Sequence, residues 1–180
     1  MDQIRLVQPS LATLVSSSYE DRDALLTVAW VMPVSYVPSK VAIAVSPERF
    51  SYGVIESSGM YAVNIMEYEY VDAVYRAGTV SGWDVGDKFR YCGLTRRLGR
   101  TLPIAVVGEA LGVLECRVEK KVSVGDHDLF IGVVVDAYVR GKYTTHWELG
   151  SYRPILYISE GHFHTVDPGS VRKYEMPQTG

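Results

Sequence analysis

The sequence is short of cysteine, with two residues, Cys92 and Cys116, and of histidine, with four. The thiols form no Cys-x-x-Cys and come with no set of histidines at metal-ligand spacing. A disulfide scaffold is thereby excluded, and reduced thiols in a cytoplasmic protein are expected. No stretch approaches the roughly 20 apolar residues of a membrane helix, and the amino terminus has no basic segment followed by an apolar one, so the expectation is a soluble chain with no membrane attachment. Charge of one sign is also lacking, because 18 Lys and Arg stand against 21 Asp and Glu, a net charge of -3. The densest basic group, Arg96, Arg97 and Arg100, has no neighbouring exposed aromatics; it reads as a solvated turn and argues against a nucleic-acid partner. Internal repeats, low-complexity tracts and a Pro/Gly/Ser-rich linker are absent, and 180 residues suit a single domain.

What is present is valine, 26 residues against 13 leucine and 8 isoleucine, and tyrosine, 13 against 4 phenylalanine. That balance argues for strands. Short Val/Ala/Leu-rich runs at 11–18, 25–32 and 41–46 are separated by turns, with Pro33, Pro38 and Pro47 at the breaks. After Pro47 the period changes: Phe50, Val54 and Ile55 share a helical face, Ser51 can cap it and Gly59 can close it. Residues 60–65 read as a strand and 68–77 as a second short helix. The segment 78–103 reads as a long loop with at most one turn of helix near Asp87-Lys88-Phe89, and loops of that length are commonly functional. Leu114, Cys116 and Val118 alternate with Glu115, Arg117 and Glu119, predicting one buried and one wet face. The apolar run 129–139 predicts a strand covered on both faces, the second face needing a helix or another subunit. Residues 153–158 add a strand, and a surface tail is expected over 165–180. The fold class is therefore mainly β: an antiparallel barrel with two or three short helices and a core spanning about 10–160.

Several catalytic constellations are missing: no Gly-x-Gly-x-x-Gly, no Walker loop, no Gly-x-Ser-x-Gly and no His-Glu-x-x-His. His162 and His164 share a strand face, but two residues are too few, and no metal site is expected. What remains suits a phosphorylated planar ligand. Ser46-Pro47-Glu48-Arg49-Phe50-Ser51-Tyr52 ends a strand and opens a helix, where backbone N–H groups, the helix dipole, hydroxyls and an arginine can converge on a phosphate; a plain helix cap is the alternative reading. Lys88 in the loop can add a second positive charge. His127 sits at a tight hairpin end between Asp126 and Asp128, a setting that suits contact with an electron-rich or anionic group.

In combination these segments resemble a known family. Thr27-Val28-Ala29-Trp30-Val31-Met32-Pro33-Val34-Ser35, Ser46-Pro47-Glu48-Arg49, Asp87-Lys88-Phe89 and Gly125-Asp126-His127-Asp128-Leu129-Phe130-Ile131-Gly132 occur in the order and spacing of the flavin reductase-like domain, the flavoredoxin-like branch of FMN-binding split barrels. The resemblance covers roughly residues 10–160. It implies a split β-barrel of Greek-key type that forms a homodimer and holds FMN near the subunit interface, with NADH or NADPH as hydride donor. It further implies that Thr27, Val28, Ala29 and Trp30 edge the isoalloxazine ring, and that Ser46, Pro47, Arg49, Ser51 and Tyr52 surround the ribityl phosphate. Lys88 and Phe89 would close the site from the loop, and His127 would face the nicotinamide or the flavin's exposed side. Two departures stand out: Ala24, where the family often has asparagine, and Pro38-Ser39, where it often has two prolines. The function implied is an NAD(P)H-dependent flavin reductase passing electrons to an unidentified acceptor such as a partner monooxygenase. The alternative is an FMN electron carrier serving a redox partner protein.

Overall fold

The computed structural model describes residues 3–148 and 150–170. Strands β1 (Ser10–Leu11), β2 (Thr13–Tyr19), β3 (Arg22–Val28), β4 (Val31–Tyr36) and β5 (Ser39–Val45) lead into helix α1 (Phe50–Ser58). After β6 (Met60–Ile65) come the short helices α2 (Val71–Thr79), α3 (Gly82–Val85) and α4 (Lys88–Cys92), then β7 (Arg96–Leu98) and β8 (Ala105–Val107). The long strands β9 (Gly112–Val124) and β10 (His127–Val139) follow, and β11 (Leu156–Ser159) and β12 (His162–His164) finish the described chain. Seven strands form one antiparallel sheet in the order β3-β2-β6-β9-β10-β5-β4, with β1-β11-β12 and β7-β8 as separate small sheets.

The chain connects the two outer strands of the large sheet, β3 and β4, through Ala29 and Trp30 alone. From Val28 to Val31 the backbone spans at most about 11 Å, whereas the edges of a flat seven-stranded sheet lie roughly 29 Å apart. The sheet therefore curls until its edges meet, and the result is a split β-barrel. Two register shifts between β9 and β10, at Ile131/Gly132 and Val134/Asp136, bend the longest pair along that curve.

Curling buries both faces of the central strands. On β2 and β6, Leu14 and Ala62 join a cluster with Val74, Phe89, Ile104 and Ile155 beneath α2 and α4, while Val15 and Val63 join Ile43, Tyr61, Cys116 and Phe130 in a second cluster that also takes Ile55 of α1. Gly132 is required where Tyr61 crosses β10: a Cβ there would lie 2.7 Å from the Tyr61 hydroxyl, which donates to the Val41 carbonyl at 2.6 Å.

The structure corrects several sequence expectations. The run 25–32 is not one strand. It breaks at Ala29-Trp30, and Pro33 sits inside β4, an edge strand that tolerates a missing donor. The segment 78–103 is not a long loop, because Ser81 and Asp87 each cap a helix through the side chain and Gly86 and Gly93 close them at positive φ. Four α-helices occur among the described residues, against two or three expected. Arg96 and Arg97 lie in the exposed strand β7 rather than a turn. β10 is covered on one face only: Asp128, Phe130 and Gly132 are buried, Leu129, Ile131 and Val133 half-buried, and Val135 exposed. Of the expected surface tail, residues 171–180 lie outside the described residues and Thr165 is buried. No described helix is long and apolar enough to cross a membrane.

Glu115 departs furthest from its pattern. Predicted on the wet face of β9, it is fully buried. Its carboxylate accepts from the backbone N–H groups of Arg100 at 2.5 Å, Thr101 at 3.0 Å and Leu102 at 2.6 Å, so it satisfies a turn whose donors have no strand partner. Glu115→Ala should destabilise the fold by about 3 kcal/mol, because three N–H groups lose their acceptor; the urea unfolding midpoint measures this.

Candidate functional site

The split in the barrel is the candidate site. A cleft of about 290 Å³ is lined by Leu26, Thr27 and Val28 of β3, by Ala29 and Trp30 of the link, by Ala44, Val45 and Ser46 at the end of β5, and by Arg49, Gly78, His127 and Tyr157. The bend that ends β3 turns Ala29 and Trp30 into its rim, and the Trp30 carbonyl accepts from the Ala44 N–H at 3.0 Å, which fixes that rim against β5.

The cleft continues past Leu26, Arg49 and Gly78 into a second one of about 220 Å³ lined also by Glu48, Phe50, Ser51, Ser81, Gly82 and Lys88. Here α1 begins. Arg49, not Ser51, is its N-cap, and no side chain accepts from the first-turn N–H groups. Ser51, expected as the cap, is instead buried in the first turn and faces this cleft. Open N–H groups at a helix start, an arginine, a serine and a lysine form a donor set for an anion. Lys88 is 4% exposed, its Nζ donates to the Ala77 carbonyl at 2.6 Å, and burial pushes it down to about 8. It is thus a held, low-mobility cation rather than a loop lysine. With one of its three ammonium hydrogens engaged, two remain for a ligand.

At the opposite end His127 closes the first cleft. Its ring packs on Trp30 with centroids 4.6 Å apart, and its Nδ1 lies 2.9 Å from Asp126 Oδ1. That hydrogen bond holds the Asp126 carboxyl below the usual carboxylate range. Asp128 does not face His127. It accepts from the Tyr52 hydroxyl at 2.6 Å, which lowers its pKa and raises that of Tyr52. The Tyr52 ring lies edge-on to Phe130 at 5.2 Å, and Lys121 donates to the same hydroxyl at 3.0 Å. Tyr52 therefore fastens α1 to the hairpin carrying His127.

Of the sequence-derived residues, Thr27, Val28, Ala29, Trp30, Ser46, Arg49 and His127 meet in the first cleft, and Ser51 and Lys88 join Arg49 in the second. Three lie elsewhere. Pro47 is exposed on the turn before α1, Tyr52 is tied to Asp128, and Phe89 is 2% exposed in the core beneath α4, so it does not close the site. Phe89 lies there because α4 presents Phe89 and Cys92 inward while its capping residue Asp87 stays exposed. Ala24, one of the two departures, is buried at 1% and lines neither cleft. Gly78 and Tyr157 were not foreseen. Gly78 lines both clefts because a Cβ there would lie 3.2 Å from Thr27 Cβ, and Tyr157 is an ordinary strand tyrosine in sequence. Tyr157 also borders a third, aromatic cleft of about 220 Å³ with Tyr75 and Phe163. Among the described residues no group of three or more His, Cys, Asp or Glu could hold a metal ion.

This geometry has close counterparts. The model of the flavin reductase-like domain matches residues 7–167. An uncharacterised protein of Aeropyrum pernix is 31% identical over 176 residues, covering 97% of this chain and 65% of its own length, so the chain spans about two thirds of that relative. A ferric-chelate reductase (NAD(P)H) of Archaeoglobus fulgidus is 28% identical over 127 residues, covering 70% of this chain and 73% of its own. The crystal structure of an FMN-binding protein from Thermus thermophilus with bound p-hydroxybenzaldehyde superposes with a TM-score of 0.83 at 22% identity, covering 93% of this chain and 91% of that one. A barrel split in the same way, the shared motifs lining that split, and a match over nearly the whole chain lead to one conclusion: the chain belongs to the flavin reductase-like domain family.

Proposed function

We propose that the protein is an FMN-binding oxidoreductase that takes hydride from NADH or NADPH and delivers electrons to a separate acceptor, working as a homodimer in a reducing cytoplasm. The observation that carries this reading is that a cleft lined by residues 27–30 runs on, past Leu26, Arg49 and Gly78, to the start of α1, where donors suited to an anion gather. A planar ring system ending in a phosphate needs that pairing. Arg49, Ser51, Lys88 and the start of α1, which no side chain caps, would hold the phosphate, and Thr27, Val28, Ala29 and Trp30 would edge the ring. Bound FMN would supply reversible hydride chemistry at its isoalloxazine.

The protein's own part is placement. Trp30 and His127 form the mouth wall, where they exclude water and orient a nicotinamide. Asp126 holds the His127 ring from outside, and the Tyr52–Asp128 bond holds the hairpin beneath it. No general acid or base is required for hydride transfer, in keeping with the absence of a catalytic triad. The exposed apolar face of β4 and β10, with Met32, Val34 and Val135, supports the homodimer, and the two free buried cysteines suit a reducing compartment. The acceptor is a ferric chelate, free flavin or a partner such as a monooxygenase. Ala24, where the family often has asparagine, is buried and lines neither cleft, so that departure lends the carrier alternative no support.

Protein purified without added flavin should show a flavin visible spectrum that bleaches on anaerobic addition of NADH or NADPH. A colourless protein that takes up no FMN would overturn the reading, and a coloured protein inert to both nucleotides would leave the carrier. Arg49→Ala should weaken FMN binding by about 1–3 kcal/mol through loss of a charge-assisted phosphate contact, with riboflavin affinity unchanged, as measured by calorimetry.

Lys88 gives a pH signature. With its pKa lowered to about 8, it is charged below that pH and loses its proton above it. FMN binding should therefore weaken as pH rises through about 8, since the neutral amine must regain a proton to hold the phosphate. Riboflavin, which has no phosphate, should show no such fall, and Lys88→Met should abolish the pH dependence.

A further inference from the structure

Three clefts meet at Gly78, and the flavin reading uses two of them, the first and the second, as one trench. The third, of about 220 Å³, lies between the end of α2 and the hairpin of β11 and β12. It shares Thr27, Ala29, Gly78 and Tyr157 with the first cleft, so a molecule seated in it lies beside the ring that residues 27–30 would edge. Trp30 and His127, which wall the mouth, do not line it. Gly161, at the hairpin turn with φ +78°, keeps it open: a Cβ there would already stand 3.4 Å from Cε2 of Tyr75, and a longer side chain would fill the gap. We propose that this third cleft is a subsite for a further class of electron acceptor, an uncharged planar quinone, so that the protein also reduces quinones; the proposal rests on the flavin reading above.

The walls select for that class. None of the residues lining the cleft is charged. The charges nearest along the chain are engaged elsewhere, Arg76 donating to the Cys92 carbonyl at 2.9 Å and Glu160 pairing with Arg5 at 2.5 Å. An anionic acceptor would lose hydration here without meeting a cation. Tyr75, Tyr157 and Phe163 supply flat apolar surface, with Phe163 edge-on to Tyr75 at 6.4 Å and tilted against Tyr157 at 5.4 Å. The threonine hydroxyls are taken up by α2, Thr27 donating to the Val74 carbonyl and Thr79 to that of Tyr75 at 3.1 Å. The phenol hydroxyls of Tyr75 and Tyr157 have no hydrogen-bond partner among the described residues, and each can donate to a quinone carbonyl. Overall, the nicotinamide C–H bond breaks, two electrons pass through the flavin to the quinone, and each quinone oxygen gains a hydrogen. One NAD(P)H and one proton are consumed for each hydroquinone formed.

Calorimetry on the FMN-loaded, oxidised chain with menadione, a neutral two-ring quinone, reads binding without turnover. Menadione should bind, naphthoquinone sulfonate should bind at least about tenfold more weakly, and saturating NAD+ should shift the menadione affinity by less than about twofold. Tyr75→Ala should weaken menadione about tenfold with FMN affinity unchanged, and Tyr75→Phe, which keeps the ring, should recover most of that loss. On anaerobic addition of NADH or NADPH, one menadione should be reduced per nucleotide oxidised. Absence of menadione binding, equal affinity for the sulfonated quinone, or displacement of menadione by NAD+ would each overturn the subsite and leave the flavin site standing. Equal losses of FMN and menadione in Tyr75→Ala would also overturn it, because they would report a general change in the fold. Menadione that binds but is reduced by neither nucleotide would overturn the activity. A chain that takes up no FMN would overturn the flavin reading itself.

Discussion

The two-residue link between β3 and β4 is the constraint from which the rest of the molecule follows. Because Ala29 and Trp30 must join strands at opposite edges of the sheet, the sheet cannot lie flat. Among the described residues no ladder joins β3 to β4, so the barrel stays open along that line. The compromise is a seam at which Trp30 bonds β5 through a single backbone hydrogen bond. Everything chemical in the structure gathers along that seam. The motif Thr27-Val28-Ala29-Trp30 is therefore both the topological joint and the rim of the cleft, and a change that relaxed the joint would also reshape the site.

The carboxyl end of α2 holds the seam open at the right width. Thr27 donates its hydroxyl to the Val74 carbonyl and Lys88 its ammonium to the Ala77 carbonyl, so β3 and α4 are both fastened to the last turns of one short helix. A cation at a helix C-terminus is favoured by the dipole as well as by the free carbonyl. Arg76 adds a third tie by donating to the Cys92 carbonyl at 2.9 Å. Gly78, immediately after, is where the three clefts around the seam meet, and its missing side chain lets α2 approach Thr27. Burial of Lys88 would be unfavourable in a site with no anion, since desolvation opposes its charge. Under the proposed function, a phosphate would restore what burial removes.

Strand content, the helix after Pro47 and the closing glycine at 59 were legible in the sequence because each rests on local chemistry: β-branched runs, a change of period and a left-handed cap. Most of the residues that the ordered motifs single out come together in the two clefts. The failures were non-local. Glu115 alternates correctly with its neighbours, yet the turn 100–102 folds over the outer face of β9 and buries it, and no period within β9 encodes that turn. Phe89 lies next to Lys88 in the motif, but one helical step turns it a quarter of the way round α4 and into the core. The resemblance places Tyr52 at the phosphate, whereas its hydroxyl is claimed by Asp128, 76 residues away.

The division of the two aspartates flanking His127 shows why side-chain direction, not composition, sets the character of the mouth. On a strand, successive residues point to opposite faces, so His127 and Asp128 cannot both face the cleft. Asp128 turns inward and becomes a structural acceptor for Tyr52, its charge answered by that hydroxyl and by Lys121 at 3.9 Å. Asp126, in the turn before the strand, escapes the alternation and stays with the imidazole. The mouth therefore presents one histidine backed by one exposed carboxylate against an indole, while the far end of the trench concentrates Arg49 and Lys88. That asymmetry gives a ligand with one anionic and one flat, neutral end a single direction in which to lie. A molecule entering the other way round would set its phosphate against the carboxylate of Asp126 and leave the buried ammonium of Lys88 without an anion.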